Sequence, residues 1–115
     1  MTRTGLAVFA AAAPLAAGAP PVALHVKPAV AARGSVVVFS GSVGTGCVPG
    51  DSVTVISRVF PGHAFGEGAI MARVHADRRF RRSFRVPTTP PRRAYLITAR
   101  CGGGNLGVAT RLRVR

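Results

Sequence analysis

The stretch SVVVFSGSVGTGCVPGDSVTVISRVF, residues 35–60, decides the fold class. It holds two runs rich in β-branched residues, separated by a loop of glycines with one proline. In the second run, every second residue from Val53 to Val59 faces one side of an extended chain, whereas Phe60 faces the other. Because β-branched side chains pack well on a pleated sheet, this pattern predicts two strands joined by a loop.

Similar short apolar runs, separated by turn residues, follow along the chain. The 14 glycines and 9 prolines suit short strands joined by turns better than long helices. Pro28 interrupts the first run, as is typical of a sheet edge. The sequence therefore predicts an all-β fold, an immunoglobulin-like Greek-key β-sandwich of about seven strands in residues 24–115. The predicted strands are residues 23–30, 35–43, 51–60, 69–76, 80–86, 94–100 and 106–114.

The N-terminal segment has the three parts of a secretory signal. Arg3 supplies a positive charge, residues 6–17 are uncharged and apolar, and small residues follow. The apolar run is shorter than the roughly 20 residues that cross a bilayer, and the Ala-Pro-Pro after it ends any helix. We expect residues 1–19 to be a signal peptide, and the mature protein to be secreted or cell-envelope associated, with no transmembrane segment.

The two cysteines fall in loops that a Greek-key sandwich places at the same end. Cys47 lies between the second and third predicted strands, and Cys101 begins the loop between the last two. Because exported chains are exposed to oxidising conditions, a Cys47–Cys101 disulfide is predicted. Two free buried thiols are the alternative, and no metal is expected, since neither a histidine nor a carboxylate completes a zinc set.

Two segments carry a resemblance to known proteins, CVPGDSVTV at 47–55 and ARCGGGNLG at 99–107. With Pro87 ahead of Tyr95, they make residues 26–114 similar to the small secreted Ig-like domains of actinobacteria. The layout also resembles the neocarzinostatin-type apoproteins, Ig-like sandwiches that hold an enediyne chromophore and typically have two disulfides. The resemblance implies a tyrosine corner, in which the Tyr95 hydroxyl bonds to backbone.

The turn before the fifth predicted strand departs from those domains. They tend to have Asp-Gly there, whereas this chain has Asp77-Arg78. The substitution removes the residue best able to adopt positive φ.

Catalytic groups are sparse. Three acids and three histidines are the titratable groups suited to acid–base work near neutral pH, and His63 and Glu67 share the one loop where such groups cluster. No nucleophile motif occurs, and the Gly102–104 run joins strands instead of opening a phosphate-binding helix. We therefore expect a protein that is not an enzyme and that has no cofactor.

The charge is strongly basic, with 16 Lys and Arg against 3 acids and a net charge of +13. Such an excess indicates anionic partners, although a coding bias towards arginine is an alternative. Nucleic acid is not an expected partner, because the arginines are spread along the chain and export removes the protein from the cytoplasm. By strand alternation Arg81 and Arg85 share a face. Arg82 points inward, so either it lies at an open edge with its stem buried or the register slips there.

Two candidate binding surfaces follow. The disulfide-tied loops comprise Gly44, Thr45, Gly46, Val48, Pro49, Gly102, Gly103, Gly104 and Asn105. The arginine cluster comprises Arg78, Arg79, Arg81 and Arg85. We expect a monomeric binding or structural surface module whose partner is an unknown protein or an anionic envelope polymer. The alternative is a carrier of a small apolar ligand, of the neocarzinostatin kind, with an open cleft between the sheets.

Overall fold

The computed structural model describes residues 20–61 and 68–115. The predicted signal peptide, His63 and Glu67 lie outside the described residues. Eight strand segments are present in the described part of the chain. They are β1 (Ala23–Lys27), β2 (Val30–Ala31), β3 (Val36–Ser42), β4 (Ser52–Ser57), β5 (Gly68–Arg73), β6 (Arg79–Arg85), β7 (Ala94–Cys101) and β8 (Gly104–Val114).

The strands form two sheets, which confirms the all-β sandwich. The three-stranded sheet has the order β1-β3-β6, and the five-stranded sheet has the order β2-β8-β7-β4-β5. Neighbouring strands are antiparallel except for the short parallel pair β2–β8. Since β3 pairs with β6 in one sheet and β4 pairs with β7 in the other, the chain crosses between the sheets after β3, returns after β5 and crosses again after β6. This interlocking is the Greek-key connection of immunoglobulin-like sandwiches.

The first predicted strand, residues 23–30, is two strands in different sheets. β1 pairs with β3 in one sheet, and β2 pairs with β8 in the other. The change of sheet occurs at Pro28, which follows a cis peptide bond. Proline has no N–H to donate to a strand ladder, so β1 ends before it. The count of about seven strands becomes eight for this reason.

The space between the sheets is filled by apolar side chains. Val53, Val55 and Val59 are buried, as their alternation predicts. The prediction that Phe60 faces the opposite side is wrong, because β4 ends at Ser57 and the following turn redirects the chain. Phe60 is 1% exposed, and its ring centroid lies 5.5 Å from that of Phe39 in an edge-on contact.

The register of β6 settles the position of Arg82. Arg82 pairs with the buried Phe39, so it lies on the inner face of an edge strand, and the register does not slip. Its exposed guanidinium donates a hydrogen bond to the carbonyl oxygen of Met71 on β5. The open-edge interpretation is confirmed, and the arginine bridges the edges of the two sheets. No helix long and apolar enough to cross a membrane occurs in residues 20–61 and 68–115.

Candidate functional site

The disulfide-tied end of the sandwich has the predicted covalent link. Cys47 and Cys101 form a disulfide with their Cα atoms 5.9 Å apart. This separation lies within the range that a disulfide spans without backbone movement. The two loops meet there, because a Cβ added to Gly102 would lie 3.5 Å from the carbonyl oxygen of Gly46.

The second of these loops is smaller than predicted. Gly104 and Asn105 belong to β8 and pair with Cys101 and Arg100, so Gly102 and Gly103 alone form the turn. Their φ angles are 64° and 83°. Positive φ at both central positions is the requirement of the tightest hairpin turns, and glycine meets it without steric cost. This end therefore presents one long loop beside a tight hairpin.

Residues of the long loop differ in exposure. Thr45, Gly46, Val48 and Pro49 are exposed, whereas Gly44 is buried against Val22. The exposed positions carry small or apolar side chains without an ionisable group. They provide few groups for recognition beyond the backbone.

Arg78 holds this loop in place. Its guanidinium donates to the carbonyl oxygens of Cys47 at 2.7 Å and Gly44 at 3.3 Å. In return, the N–H of Val43 donates to the carbonyl oxygen of Arg78 at 3.0 Å. Loop carbonyls therefore accept hydrogen bonds from one terminal nitrogen of Arg78, and its contact with an anionic surface stays a prediction.

A carboxylate lies closer to the cysteines than the sequence predicts. The side-chain atoms of Cys47, Asp51 and Cys101 lie within 4.8 Å of one another. Both sulfur atoms belong to the disulfide, so neither is a thiolate ligand. Asp51 instead accepts a hydrogen bond from the N–H of Val48 at 3.3 Å, which shapes the loop.

The remaining predicted arginines share the outer face of the three-stranded sheet. Arg79, Arg81 and Arg85 occupy alternate positions of β6, with Ser83 between the last two. Residues two apart along a strand are about 6.6 Å apart, so the row is roughly 20 Å long. The shared face predicted for Arg81 and Arg85 is present, and Arg79 belongs to it.

The register adds two basic residues of β1 to this face. His25 and Arg81 flank Ser40 of β3 in one cross-strand row, and Lys27 pairs with Val38 in the next. The term cationic face is used below for His25, Lys27, Arg79, Arg81 and Arg85. Alternation within β1 places His25 and Lys27 on one side, but their proximity to Arg81 depends on strand pairing.

Two adjoining depressions lie on the cationic face. One has a volume of about 570 Å³ and the other of about 400 Å³. His25, Ser40 and Arg81 line both. Pro20, Pro21, Ser42, His75, Asp77 and Arg79 complete most of the lining of the larger one.

Neighbouring protein groups neutralise little of the positive charge of this face, so most of it is available to a ligand. Arg79 forms an exposed ion pair with Asp77 at 3.7 Å. Arg85 donates to the carbonyl oxygen of Gly34 at 2.7 Å, which uses one of its five N–H donors. Arg81 bonds to no other described side chain or carbonyl. Of the two carboxylate side chains in the described residues, Asp77 alone reaches this face.

Comparisons with known proteins supply little about function. No protein family matches the chain, and no curated protein matches it. A solved structure with a similar fold is the Pseudomonas fluorescens alkylpurine DNA glycosylase AlkC bound to DNA containing an abasic site analog. The identity is 20%, the TM-score is 0.49, and the match covers 83% of this chain and 30% of that chain.

This comparison corrects the prediction that the protein is not an enzyme. The similar structure belongs to an enzyme, so the non-enzymatic classification is withdrawn. The chain spans 30% of that enzyme's length, and a likeness at this score assigns no activity or ligand.

Proposed function

We propose that this protein is a binding module that holds a linear polyanion along the cationic face. The observation that carries the proposal is the row Arg79-Arg81-Arg85 on one edge strand, with His25 and Lys27 on the other edge strand of the same sheet face. A guanidinium offers several N–H donors in a planar fork that matches phosphate and carboxylate groups. The row therefore presents repeated anion-binding groups in a straight line.

The length of the row favours a polymer over a single ion. Arg79 and Arg81 are about 6.6 Å apart along β6, Arg85 lies about 13 Å beyond Arg81, and the row of roughly 20 Å is several times as long as one phosphate or carboxylate is wide. An extended polymer with anionic groups at about this interval, or a fraction of it, contacts successive arginines. Each further contact adds to the affinity without the entropic cost of a separate binding event.

The neutral residues of the face support the same function. Ser40 lies in the row between His25 and Arg81, half-buried at the floor of both depressions. Its hydroxyl is a hydrogen-bond donor for an anion oxygen that Arg81 attracts. Ser42 is already engaged with the carbonyl oxygen of Pro21, which anchors the wall of the larger depression.

Among residues 20–61 and 68–115, the core between the two sheets has no open cleft of the kind that the alternative function, an apolar ligand carrier, requires. Between the sheets, the side chains of Phe39, Ile97 and Leu112 have essentially no exposure. The two depressions of the cationic face lie outside the sandwich, and their lining combines charged or polar side chains with the apolar Pro20, Pro21, Ala23, Val38 and Phe80. Export through residues 1–19 remains our prediction, and it would direct the module to polymers of the cell envelope or its surroundings.

Fluorescence anisotropy with fluorescein-labelled inorganic polyphosphate tests this function. We expect saturable binding that weakens with added NaCl, and much weaker binding of orthophosphate at equal phosphate concentration. The variant R81Q/R85Q should bind polyphosphate about tenfold more weakly than the wild type, since it removes two of three arginine contacts.

A matched control separates the site from the net charge. The variant R58Q/R115Q loses the same charge at two exposed positions outside the three-stranded sheet. It should retain nearly wild-type affinity. Equal weakening in both variants would assign binding to net charge and refute the cationic face, and tighter binding of single-stranded DNA than of polyphosphate would redirect the function towards nucleic acid.

A further inference from the structure

The outer face of the five-stranded sheet has an apolar centre. Ile56 of β4, Met71 of β5 and Leu96 of β7 project from it. Met71 is 53% exposed and Leu96 is 49% exposed. The neighbouring outward positions are small or uncharged: Thr54, Ala69, Thr98 and Ala109. Five strands about 4.8 Å apart make the face roughly 20 Å wide.

Four arginines surround this centre. Arg100 lies in the cross-strand row of Thr54 and Met71, and Arg73 lies at the end of β5. Arg111 pairs with Leu96, and Arg113 pairs with Ala94 in the next row. All four side chains are exposed. The name docking face is used below for these four arginines with Ile56, Met71 and Leu96.

Carboxylate side chains of the described residues lie away from the docking face. Asp51 lies in the loop that the disulfide closes, and Asp77 lies in the turn between β5 and β6. The rim of the docking face is therefore positive on both sides of an apolar centre. Protein interfaces have this composition, with an apolar core, enrichment in Met and Arg, and a polar rim.

We propose that the docking face binds an acidic protein surface that has an apolar centre of its own. Charge complementarity selects this partner, because acidic groups would pair with the four arginines while apolar groups cover Leu96 and Met71. A second copy of this chain would bring like charges together at the rim. A simple polyanion would leave the apolar centre exposed, so this surface is distinct from the proposed polyanion site.

A titration of the ¹⁵N-labelled protein with the peptide Glu-Leu-Glu-Leu-Glu-Leu-Glu, followed by NMR, tests the proposal. We expect saturable amide shifts concentrated on Ile56, Met71 and Leu96. The peptide with serine in place of leucine should cause shifts at least about tenfold smaller at the same concentration, because it covers no apolar surface.

Two variants that should both fold distinguish the docking face from the cationic face. L96E places a carboxylate at the centre of the docking face, and V36E places one beside Arg85 on the cationic face. Both replace exposed side chains, so both should fold. L96E should weaken peptide binding about tenfold and leave polyphosphate binding intact, whereas V36E should do the reverse.

Other outcomes overturn the inference. No shifts with the leucine peptide, equal shifts with the serine peptide, or shifts confined to the cationic face would each remove the acidic-protein assignment. Concentration-dependent shifts of the protein alone would assign the face to self-association. Shifts caused only by phosphatidylglycerol vesicles would assign it to an anionic membrane.

Discussion

Arg78 donates a hydrogen bond to the carbonyl oxygen of Cys47 at 2.7 Å from a backbone that has a φ of 65°. Positive φ is costly for a residue with a Cβ, and glycine is the usual occupant of such a turn. The guanidinium contacts with the loop offset that cost, since a charge-assisted hydrogen bond to a half-buried carbonyl is stronger than a neutral one. The turn between β5 and β6 and the loop between β3 and β4 are therefore stabilised together.

Replacing Arg78 should separate the contribution of its hydrogen bonds from the cost of its positive φ. R78A loses the hydrogen bonds and keeps the backbone cost, so the free energy of unfolding should fall by about 1–3 kcal/mol. R78G loses the same bonds but adopts positive φ freely, and should be less destabilised than R78A by about 1 kcal/mol. Urea unfolding of the three proteins measures the order, and an R78A protein as stable as the wild type would refute the role of the guanidinium.

The disulfide should contribute strongly to stability. It closes a loop with a sequence separation of 54 residues, which the chain-entropy model values at about 4 kcal/mol. Addition of a reductant should therefore lower the midpoint of urea unfolding of the wild type. The same reductant should leave the midpoint of a C47S/C101S variant unchanged, because that variant has no disulfide to reduce. Mass measurement after alkylation of the unreduced protein is the control, because two alkylated thiols would show that the bond is absent.

Gly41 should be intolerant of a side chain. A Cβ at this position would collide with the carbonyl oxygen of Ala23 on β1 and with the ring of Phe80 on β6. G41A should therefore destabilise the protein by about 1–3 kcal/mol, because neither the ladder nor the buried ring yields easily. G46A is the matched control, since its Cβ would have no neighbour closer than 3.8 Å. Similar thermal unfolding of both variants would contradict the close approach of β1 to β3.

The salt dependence of polyphosphate binding should report how many phosphate contacts the cationic face makes. For a flexible polyanion, the slope of log K against log salt changes by about 0.7 for each phosphate contact. R81Q/R85Q should therefore bind polyphosphate with a slope shallower by about 1.4. Anisotropy titrations over a range of NaCl measure the slope, and R58Q/R115Q should match the wild type. An unchanged slope in R81Q/R85Q would mean that these arginines do not contact the polymer.

The predictions that the structure confirms came from the alternation of side chains along each strand and from the order of the strands. Val53 and Val55 are buried together, and Arg81 and Arg85 share an outer face, because successive side chains of any strand alternate between its two faces. The proximity of Cys47 and Cys101 followed from strand order, since a Greek-key connection places those loops at one end. Each of these inferences needs the identity of nearby residues and the order of strands, and nothing more.

Tertiary structure decided the rest, because those features depend on pairing between distant segments. The sequence alone determined that the chain is an all-β sandwich closed by one disulfide and rich in exposed arginine. Register placed His25 of β1 and Arg81 of β6 on either side of Ser40, and the loop carbonyls of Gly44 and Cys47 accept hydrogen bonds from Arg78. Alternation sets which side of a strand a residue faces, whereas its neighbour across the sheet depends on register, which long-range packing selects.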